Sequence, residues 1–84
     1  MTYSLFILPR AQKELGKLPT GAYKRVREAV YRLGEDPRPK DSRKLTGREG
    51  WRIRVGEYRV IYEVDEKEET VLVLHVGHRR DVYR

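Results

Sequence analysis

The strongest structural signal in this chain is a β-hairpin over residues 51–62. Apolar or aromatic residues alternate with arginines on both sides of Gly56-Glu57, and a glycine at the first central position is typical of a type II′ two-residue turn. Such a turn fixes the register of the strands, so that Val55 pairs with Tyr58 and Arg54 with Arg59. Because side chains alternate between the two faces of a strand, the hairpin is predicted to have one apolar and one basic face.

The basic face of the hairpin carries three arginines with no acidic residue among them. Arg52 and Arg54 lie on the first strand, and Arg59 lies on the second strand directly opposite Arg54. Like charges in opposing positions destabilise a strand pair, so stability does not explain this arrangement. We interpret the three side chains as an anion-binding site, since guanidinium groups bind phosphate oxygens in a bidentate manner. The alternative is a solvated polar face, the usual explanation for a charged residue on a strand.

Two helices are predicted in the N-terminal half, after a first strand over residues 3–8. Pro9 suits the first turn of a helix, where its missing N–H costs no hydrogen bond, and Pro19 ends that helix. A second helix follows, with an apolar stripe over residues 22–33 and with Thr20 as its predicted N-cap. The first helix has its own apolar residues at helical spacing, Ala11, Leu15 and Leu18. Both apolar stripes predict helices that pack on a sheet.

The remaining segments complete the predicted fold. Residues 36–50 form a basic loop without periodicity, and a strand over residues 70–76 follows the hairpin after a short acidic turn. The short turn makes this strand antiparallel to the second hairpin strand, so that it ends beside Arg59. The prediction is an α+β fold in the order β-α-α-β-β-β: a mainly antiparallel four-stranded sheet with the two helices packed on one face. We expect a single domain over residues 1–84.

Length, charge and motifs limit the classes of function. The chain has 84 residues, no cysteine and a formal net charge of +6, which favours nucleic acid or another polyanion as a partner. No apolar segment approaches the ~20 residues of a membrane span, and the N-terminus lacks the features of a secretion signal, so we expect a cytoplasmic protein without a membrane partner. We find no carboxylate cluster for a metal, no Gly-rich phosphate loop and no Ser-His-Asp arrangement, so we expect neither a metal nor a cofactor.

A second basic segment closes the chain, and the predicted topology brings it to the hairpin arginines. The last strand ends beside Arg59, so Arg79, Arg80 and Tyr83 are predicted to emerge near Arg54. Arginines can stabilise the phosphorane that forms when a 2′-hydroxyl of RNA attacks the adjacent phosphate. A tyrosine can orient that hydroxyl or stack on a base. This chemistry would need no metal and would leave a cyclic phosphate.

Two motifs resemble the RelE branch of the RelE/ParE toxin superfamily. They are the hairpin over residues 51–62 and the tail from Val76 to Tyr83, and Lys44-Leu45-x-Gly47 ahead of the hairpin matches as well. The resemblance covers nearly the whole chain. It implies a small toxin of a type II toxin–antitoxin pair that cleaves mRNA in the ribosomal A site, with the ribosome, mRNA and a cognate antitoxin as partners.

The resemblance also implies roles for individual residues. Arg52 and Arg54 match a basic pair that is lysine in the best-studied members, and Arg59 matches the arginine that stabilises the transition state. Arg79 matches the arginine assigned as general acid or phosphate ligand, and Tyr83 matches the tyrosine that orients the attacking nucleotide. Further contacts with RNA or the ribosome are expected from these residues: Arg43, Lys44, Arg48 and Arg80.

The identity of the general base is left open by these matches. Arginine keeps its proton in proteins, so Arg52 and Arg54 cannot replace a lysine that accepts one. His78 is the first alternative, because an unperturbed imidazole titrates near neutral pH, and Tyr83 as a phenolate is the second. Two other functions also fit the pattern: a ParE-like toxin that poisons DNA gyrase without nuclease activity, and an inactive RNA- or partner-binding module of the same fold.

Overall fold

The structure is a computed structural model that describes residues 2–78. Its elements, in chain order, are β1 (Ser4–Ile7), α1 (Pro9–Gly16), α2 (Thr20–Arg32), β2 (Arg43–Lys44), β3 (Trp51–Val55), β4 (Tyr58–Asp65) and β5 (Thr70–His78). The strands form one sheet in the order β1-β5-β4-β3-β2. β1 runs parallel to β5, and the other neighbouring strands are antiparallel.

The α+β class is confirmed, but the prediction of a four-stranded sheet is wrong by one strand. Arg43 and Lys44 form the short strand β2 at the outer edge of β3, inside the segment that was predicted to be a loop. The pairing places Arg43 opposite Arg52. Because two residues are too few to show an alternating pattern, only the tertiary pairing reveals this strand.

The register of the hairpin agrees with the prediction. Val55 pairs with Tyr58, and Arg54 pairs with Arg59, on either side of Gly56-Glu57. Gly56 has a φ of +61°, and among residues 2–78 Glu69 is the only non-glycine residue with a positive φ. A positive φ at the first central position alone is the backbone pattern of a type II′ turn. The turn therefore decides which side chains share a face of the sheet.

The core lies between the two helices and one face of the sheet. Its buried residues are Ala11, Leu15, Val26, Val30, Leu33, Ile53, Val60, Tyr62, Val71, Val73 and Val76. Trp51, Val55 and Tyr58 pack against this core from the hairpin, on the face that the alternation predicts. On the opposite face, Leu45 and Ile61 form a small separate cluster. Leu45 thus holds the segment after β2 against the sheet.

A β-bulge in β5 interrupts the alternation of faces. Tyr62 pairs with Val73, but the preceding residue, Ile61, pairs with His75, so Leu74 is an extra residue on β5. Residues of β5 after the bulge therefore lie on the face opposite to the one that a regular strand would give them. A strand that is apolar on both faces gives no sequence signal for the position of a bulge.

The two helices differ in their polar contacts: α2 has no side-chain hydrogen bond at its N-cap, whereas α1 is bonded to β5 through Glu14. α2 begins at Thr20 itself, with Pro19 at the N-cap position and no side-chain hydrogen bond there, so the predicted capping role of Thr20 is wrong. In α1, the carboxylate of Glu14 accepts a hydrogen bond from the Val76 N–H at 2.9 Å and lies 3.1 Å from His75 Nδ1. β1 ends at Ile7, which pairs with Val73, so the Glu14 carboxylate and not a strand accepts the hydrogen bond of the Val76 N–H. The same carboxylate contacts His75, which is thus a packed residue of the sheet.

Tyr62 fixes the segment after α2 to the sheet. Its side chain is fully buried, and its hydroxyl donates a hydrogen bond to the Pro37 carbonyl at 2.7 Å. Burial raises the pKa of the Tyr62 phenol to about 12. The ionised form is therefore disfavoured in the folded protein.

Tyr62→Phe should destabilise the protein by about 1–3 kcal/mol at neutral pH, since the buried Pro37 carbonyl loses its donor. In the folded state Tyr62 has a pKa of about 12, whereas in the unfolded chain it has the ordinary tyrosine pKa of 10.0. Unfolding is therefore favoured progressively as the pH rises through this interval, and the wild type should lose about 2 kcal/mol there that the variant does not lose. Urea denaturation across this range measures both effects, and parallel losses in the two proteins would contradict the assignment.

Candidate nucleic-acid interface

The sheet face opposite the helices carries the three predicted arginines together with Arg43. Arg43 pairs with Arg52 across β2 and β3, and Arg54 pairs with Arg59 across β3 and β4. Directly opposed side chains project from the same face, with Cβ atoms about 4.5–5.5 Å apart. The four arginines therefore form two neighbouring cross-strand pairs, or rows, and their side chains project from one face of the sheet. We call this surface the arginine face.

The arginine face contains an open depression. Arg43, Arg52 and Arg54 line a cavity of about 200 Å³ together with Asp41. This volume is below the roughly 300–1,000 Å³ of pockets that enclose small ligands. A shallow depression with three cations and one anion suits an extended polyanion laid across the surface. Asp41 was not singled out from the sequence, because no pattern connects it with the hairpin.

Asp41 lines this depression, but no carboxylate within residues 2–78 forms an ion pair with its three arginines. The ion pairs within residues 2–78 join Arg10 and His75 to Glu14, Arg38 to Glu66, and His78 to Glu57. None of them includes Arg43, Arg52 or Arg54. Arg43 Nη1 donates to the backbone carbonyl of Ser42 at 3.0 Å. In the opposed pair, Arg54 is exposed to solvent and Arg59 is half-buried.

The acidic residues gather at the other end of the sheet. A cavity of about 560 Å³ there is lined by these charged residues: Lys44, Glu49, Glu63, Asp65 and Glu66. Within residues 2–78, no group of three or more acidic or histidine side chains is arranged to hold a metal ion. Lys44 pairs with Trp51 at the start of β3, and Arg48 lies in the loop just before it. Lys44 thus lies opposite a core-facing residue and beside the acidic cavity, and not on the arginine face. The predicted RNA or ribosome contacts of Lys44 and Arg48 stay predictions.

His78 lies on the helix side of the sheet and not on the arginine face. It pairs with Tyr58, and their rings meet edge to face with centroids 5.9 Å apart. Its Nε2 also lies 3.4 Å from Oε2 of Glu57. Tyr58 packs against the core, whereas the next residue, Arg59, projects from the opposite face.

The bulge in β5 is the reason for this position. Extending the pairing of Tyr62 with Val73 without a bulge would place His78 opposite Glu57, on the same face as Arg59. The extra residue moves His78 to the other face. The sheet therefore separates His78 from a phosphate held at Arg59, and the predicted role of His78 as general base is not carried further.

The end of β5 reaches the hairpin as the predicted topology requires. Gly77 pairs with Arg59, at the start of β4. Arg79, Arg80 and Tyr83 follow β5 directly in the sequence but lie outside the described residues, so their roles stay predictions. Within residues 2–78, neither helix combines the length and the apolar composition that crossing a membrane requires.

Comparison with known sequences identifies the class of protein. The family model described as the ParE toxin of the type II toxin–antitoxin system parDE matches residues 5–83. Toxin RelG of Mycobacterium tuberculosis is 33% identical to this chain, over 100% of this chain and 99% of its own length. The fold described above is thus shared with toxins of type II toxin–antitoxin systems.

Comparison with solved structures leads to the same group. The archaeal RelE–RelB complex from Pyrococcus horikoshii contains a chain of 34% identity with a TM-score of 0.83, covering 98% of this chain and 100% of that one. The isolated toxin RelE of E. coli is 30% identical with a TM-score of 0.78, covering 96% of this chain and 90% of that one. This chain belongs to the RelE/ParE toxin superfamily, and it is a RelE-family toxin, as the resemblance implied.

The opposed pair on the arginine face should reduce stability. Arg54→Gln removes a like-charge contact with Arg59 and should raise the free energy of unfolding by a few tenths of a kcal/mol to about 1 kcal/mol. Since salt screens the same repulsion, the wild type should gain more stability than the variant between low and high salt. Chemical denaturation at both salt concentrations measures this difference. Arg48→Gln is the matched control, because it removes the same charge from an exposed loop; equal gains for both variants would point to net charge alone.

Proposed function

We propose that this toxin is an endoribonuclease that cleaves mRNA in the ribosomal A site. The observation that carries the proposal is the arginine face, where four arginines form two neighbouring cross-strand pairs and three of them line a shallow depression. Arg43, Arg52 and Arg54 form no ion pair within residues 2–78, and Asp41 is the single acidic residue that lines the depression with them, so a net positive charge is available to a polyanion. The similarity to toxins named RelG and RelE supports the same choice. Action on ribosomes also places the protein in the cytoplasm.

The proposed reaction is an internal displacement at phosphorus. The 2′-oxygen of the mRNA attacks the adjacent phosphorus and loses its proton to a base, while the bond from phosphorus to the 5′-oxygen breaks. The products are a 2′,3′-cyclic phosphate and a 5′-hydroxyl that takes up a proton. Negative charge grows on the non-bridging oxygens during this step. The opposed guanidinium groups of Arg54 and Arg59 stabilise that charge, while Arg52 and Arg43, one row away, hold the neighbouring phosphates.

The arginines hold charge in this scheme but do not accept protons. Tyr83 positions the attacking nucleotide and accepts the proton of the 2′-hydroxyl. Arg79 donates a hydrogen bond to the leaving 5′-oxygen, which takes up its proton from water. Arg80 contacts an adjacent phosphate. The positioning role of Tyr83 and the role of Arg79 come from the family resemblance, whereas Tyr83 as the base is the second of the two bases considered from the sequence. Gly77 pairs with Arg59, so the chain that follows β5 begins near this arginine. No metal or cofactor takes part in the proposed reaction.

A cognate antitoxin is the proposed inhibitor. RelE toxins of Pyrococcus horikoshii and E. coli have each been crystallised in complex with an antitoxin. In this protein, a helical or extended acidic segment that covers the arginine face or displaces the C-terminal tail would neutralise the cations. It would thereby block access of the mRNA phosphates.

Cleavage of a defined mRNA on purified ribosomes, mapped by primer extension, tests the proposal. The wild type should cut within the codon in the A site. Arg59→Ala should slow single-turnover cleavage about 10²–10³-fold, the effect typical of removing one donor to a developing oxyanion. Arg54→Ala should slow it in the same direction. Lys67→Ala is the control with unchanged cutting, because Lys67 is exposed in the turn between β4 and β5 at the other end of the sheet. Circular dichroism verifies that each variant is folded, and cutting at the wild-type rate by Arg59→Ala would refute the role of the arginine face.

Poisoning of DNA gyrase is the second candidate function, because the matching family model is that of the ParE toxin. A supercoiling assay with purified gyrase distinguishes the two functions. The ribonuclease proposal expects mRNA cuts and uninhibited supercoiling. Inhibited supercoiling without mRNA cuts would select the ParE-like function, and the absence of both would select an inactive binding module.

A further inference from the structure

A groove lies between α2 and the outer edge of β3. Its volume of about 320 Å³ falls within the roughly 300–1,000 Å³ of pockets that bind small ligands. β2 pairs only with Trp51 and Arg52, so within residues 2–78 the edge of β3 from Ile53 to Val55 has no strand partner. The groove occupies this open edge, and we call it the α2 groove.

The α2 groove is continuous with the depression of the arginine face. Arg54 and Asp41 line both cavities. Because β2 does not extend past Arg52, no strand separates the two cavities at this edge within residues 2–78. A polyanion whose phosphates lie on the arginine face can therefore pass around the edge of the sheet. Its neighbouring unit would then lie in the α2 groove.

The inner part of the α2 groove is apolar. Ile53 is 3% exposed, and Ala29, Pro39 and Val55 are half-buried. A phosphate gains nothing from contact with such a surface, whereas an unstacked nucleobase can bury its ring against apolar side chains. The depression differs, because every residue that lines it is charged. This contrast indicates that the two cavities bind different parts of one ligand.

The opening of the α2 groove is charged. Arg25, Glu28 and Arg32 are exposed on α2, and Asp41 and Arg54 are exposed on the other side of the groove. The helical spacing permits ion pairs of Glu28 with Arg25 and Arg32. Within residues 2–78, however, no ion pair includes any of these five side chains. No side-chain hydrogen bond there includes Glu28 or Asp41, so their carboxylates are available to a ligand.

The two carboxylates favour some bases over others. An ionised carboxylate accepts hydrogen bonds but donates none. Cytosine, adenine and guanine carry an exocyclic amino group that donates to such an acceptor, whereas uracil presents carbonyl oxygens and no amino group. A site that only held phosphate would be weakened by acids at its opening. Glu28 and Asp41 therefore suit a base with an amino group, while the arginines around them suit its phosphates.

We propose that the α2 groove binds the base of an mRNA nucleotide next to the phosphate held on the arginine face, and that it selects bases with an amino group. This inference rests on the proposed function, since it assigns base specificity to the same nuclease. Asp41 and Glu28 are the specificity-determining residues. Arg25 and Arg32 contact the phosphate on the far side of the bound base.

Cleavage of paired mRNAs on purified ribosomes tests the proposal. The two mRNAs differ only by cytosine or uracil at one of the nucleotides that flank the cut bond, and each flanking position is tested in turn. At one position the wild type should show a kcat/KM about tenfold or more higher for cytosine, because uracil leaves a carboxylate without its donor. The double variant Glu28→Gln/Asp41→Asn should reduce this preference to within about twofold, since an amide can also donate to the uracil carbonyl.

Two further variants separate base recognition from a change in charge. Ala29→Leu fills the apolar part of the groove without changing its charge, and it should also reduce the preference to within about twofold. Glu35→Gln/Glu68→Gln is the matched control, because it removes two exposed carboxylates that do not line the groove. This control should keep the wild-type preference. Circular dichroism verifies that all variants are folded.

An unchanged preference in both Glu28→Gln/Asp41→Asn and Ala29→Leu would overturn the proposal, because the ribosome itself would then select the base. Weaker inhibition of these variants by an antitoxin, with unchanged preference, would overturn it and reassign the groove to a protein partner. Equal cutting of both mRNAs by the wild type would refute base selection while leaving the nuclease function intact. A wild type that cuts neither mRNA would refute both.

Discussion

The two-residue turn at Gly56-Glu57 is the constraint on which the rest of the structure depends. It pairs Val55 with Tyr58, and every position farther from the turn then follows in fixed order. A shift of one residue would move the arginines into the core and Ile53, Val60 and Tyr62 into solvent. The same turn therefore builds the hydrophobic core and the arginine face together. A cationic surface placed on the back of a core strand is held more rigidly than one on a loop.

The arginine face is an arrangement that opposes folding locally. Arg54 and Arg59 repel each other, and the row of Arg43 and Arg52 lies beside them without a compensating carboxylate on the paired strands. Buried contacts elsewhere, such as the Tyr62 side chain and its bond to Pro37, offset this cost. Four acidic residues line the cavity at the opposite end of the sheet, whereas Asp41 alone lies among the three arginines of the depression, so the net charge there is positive. Retaining an unfavourable charge cluster at one place is typical of a functional site.

Membership of the RelE/ParE superfamily establishes the fold and the class of toxin, but one fold can host different activities. The side chains on the exposed face decide which activity is supported. Arginines in place of lysines strengthen phosphate binding and exclude proton transfer by those residues. His78 lies on the helix side of the sheet, so the arginine face lacks this proton acceptor as well. Both features concentrate the proposed proton transfer on the tail that follows β5.

The sequence by itself determined the hairpin, its register, the residues on its two faces, and the two helices that cover one of them. These features depend on local signals: an alternating pattern, a turn glycine, and helical spacing between prolines. Only the tertiary structure decided the strand β2, the parallel pairing of β1 with β5, the acidic surroundings of Lys44 and the bulge at Leu74 that turns His78 away from Arg59. Each of these features depends on which distant segments pair with each other. The residues of a short or uniformly apolar segment do not indicate which segment it will pair with.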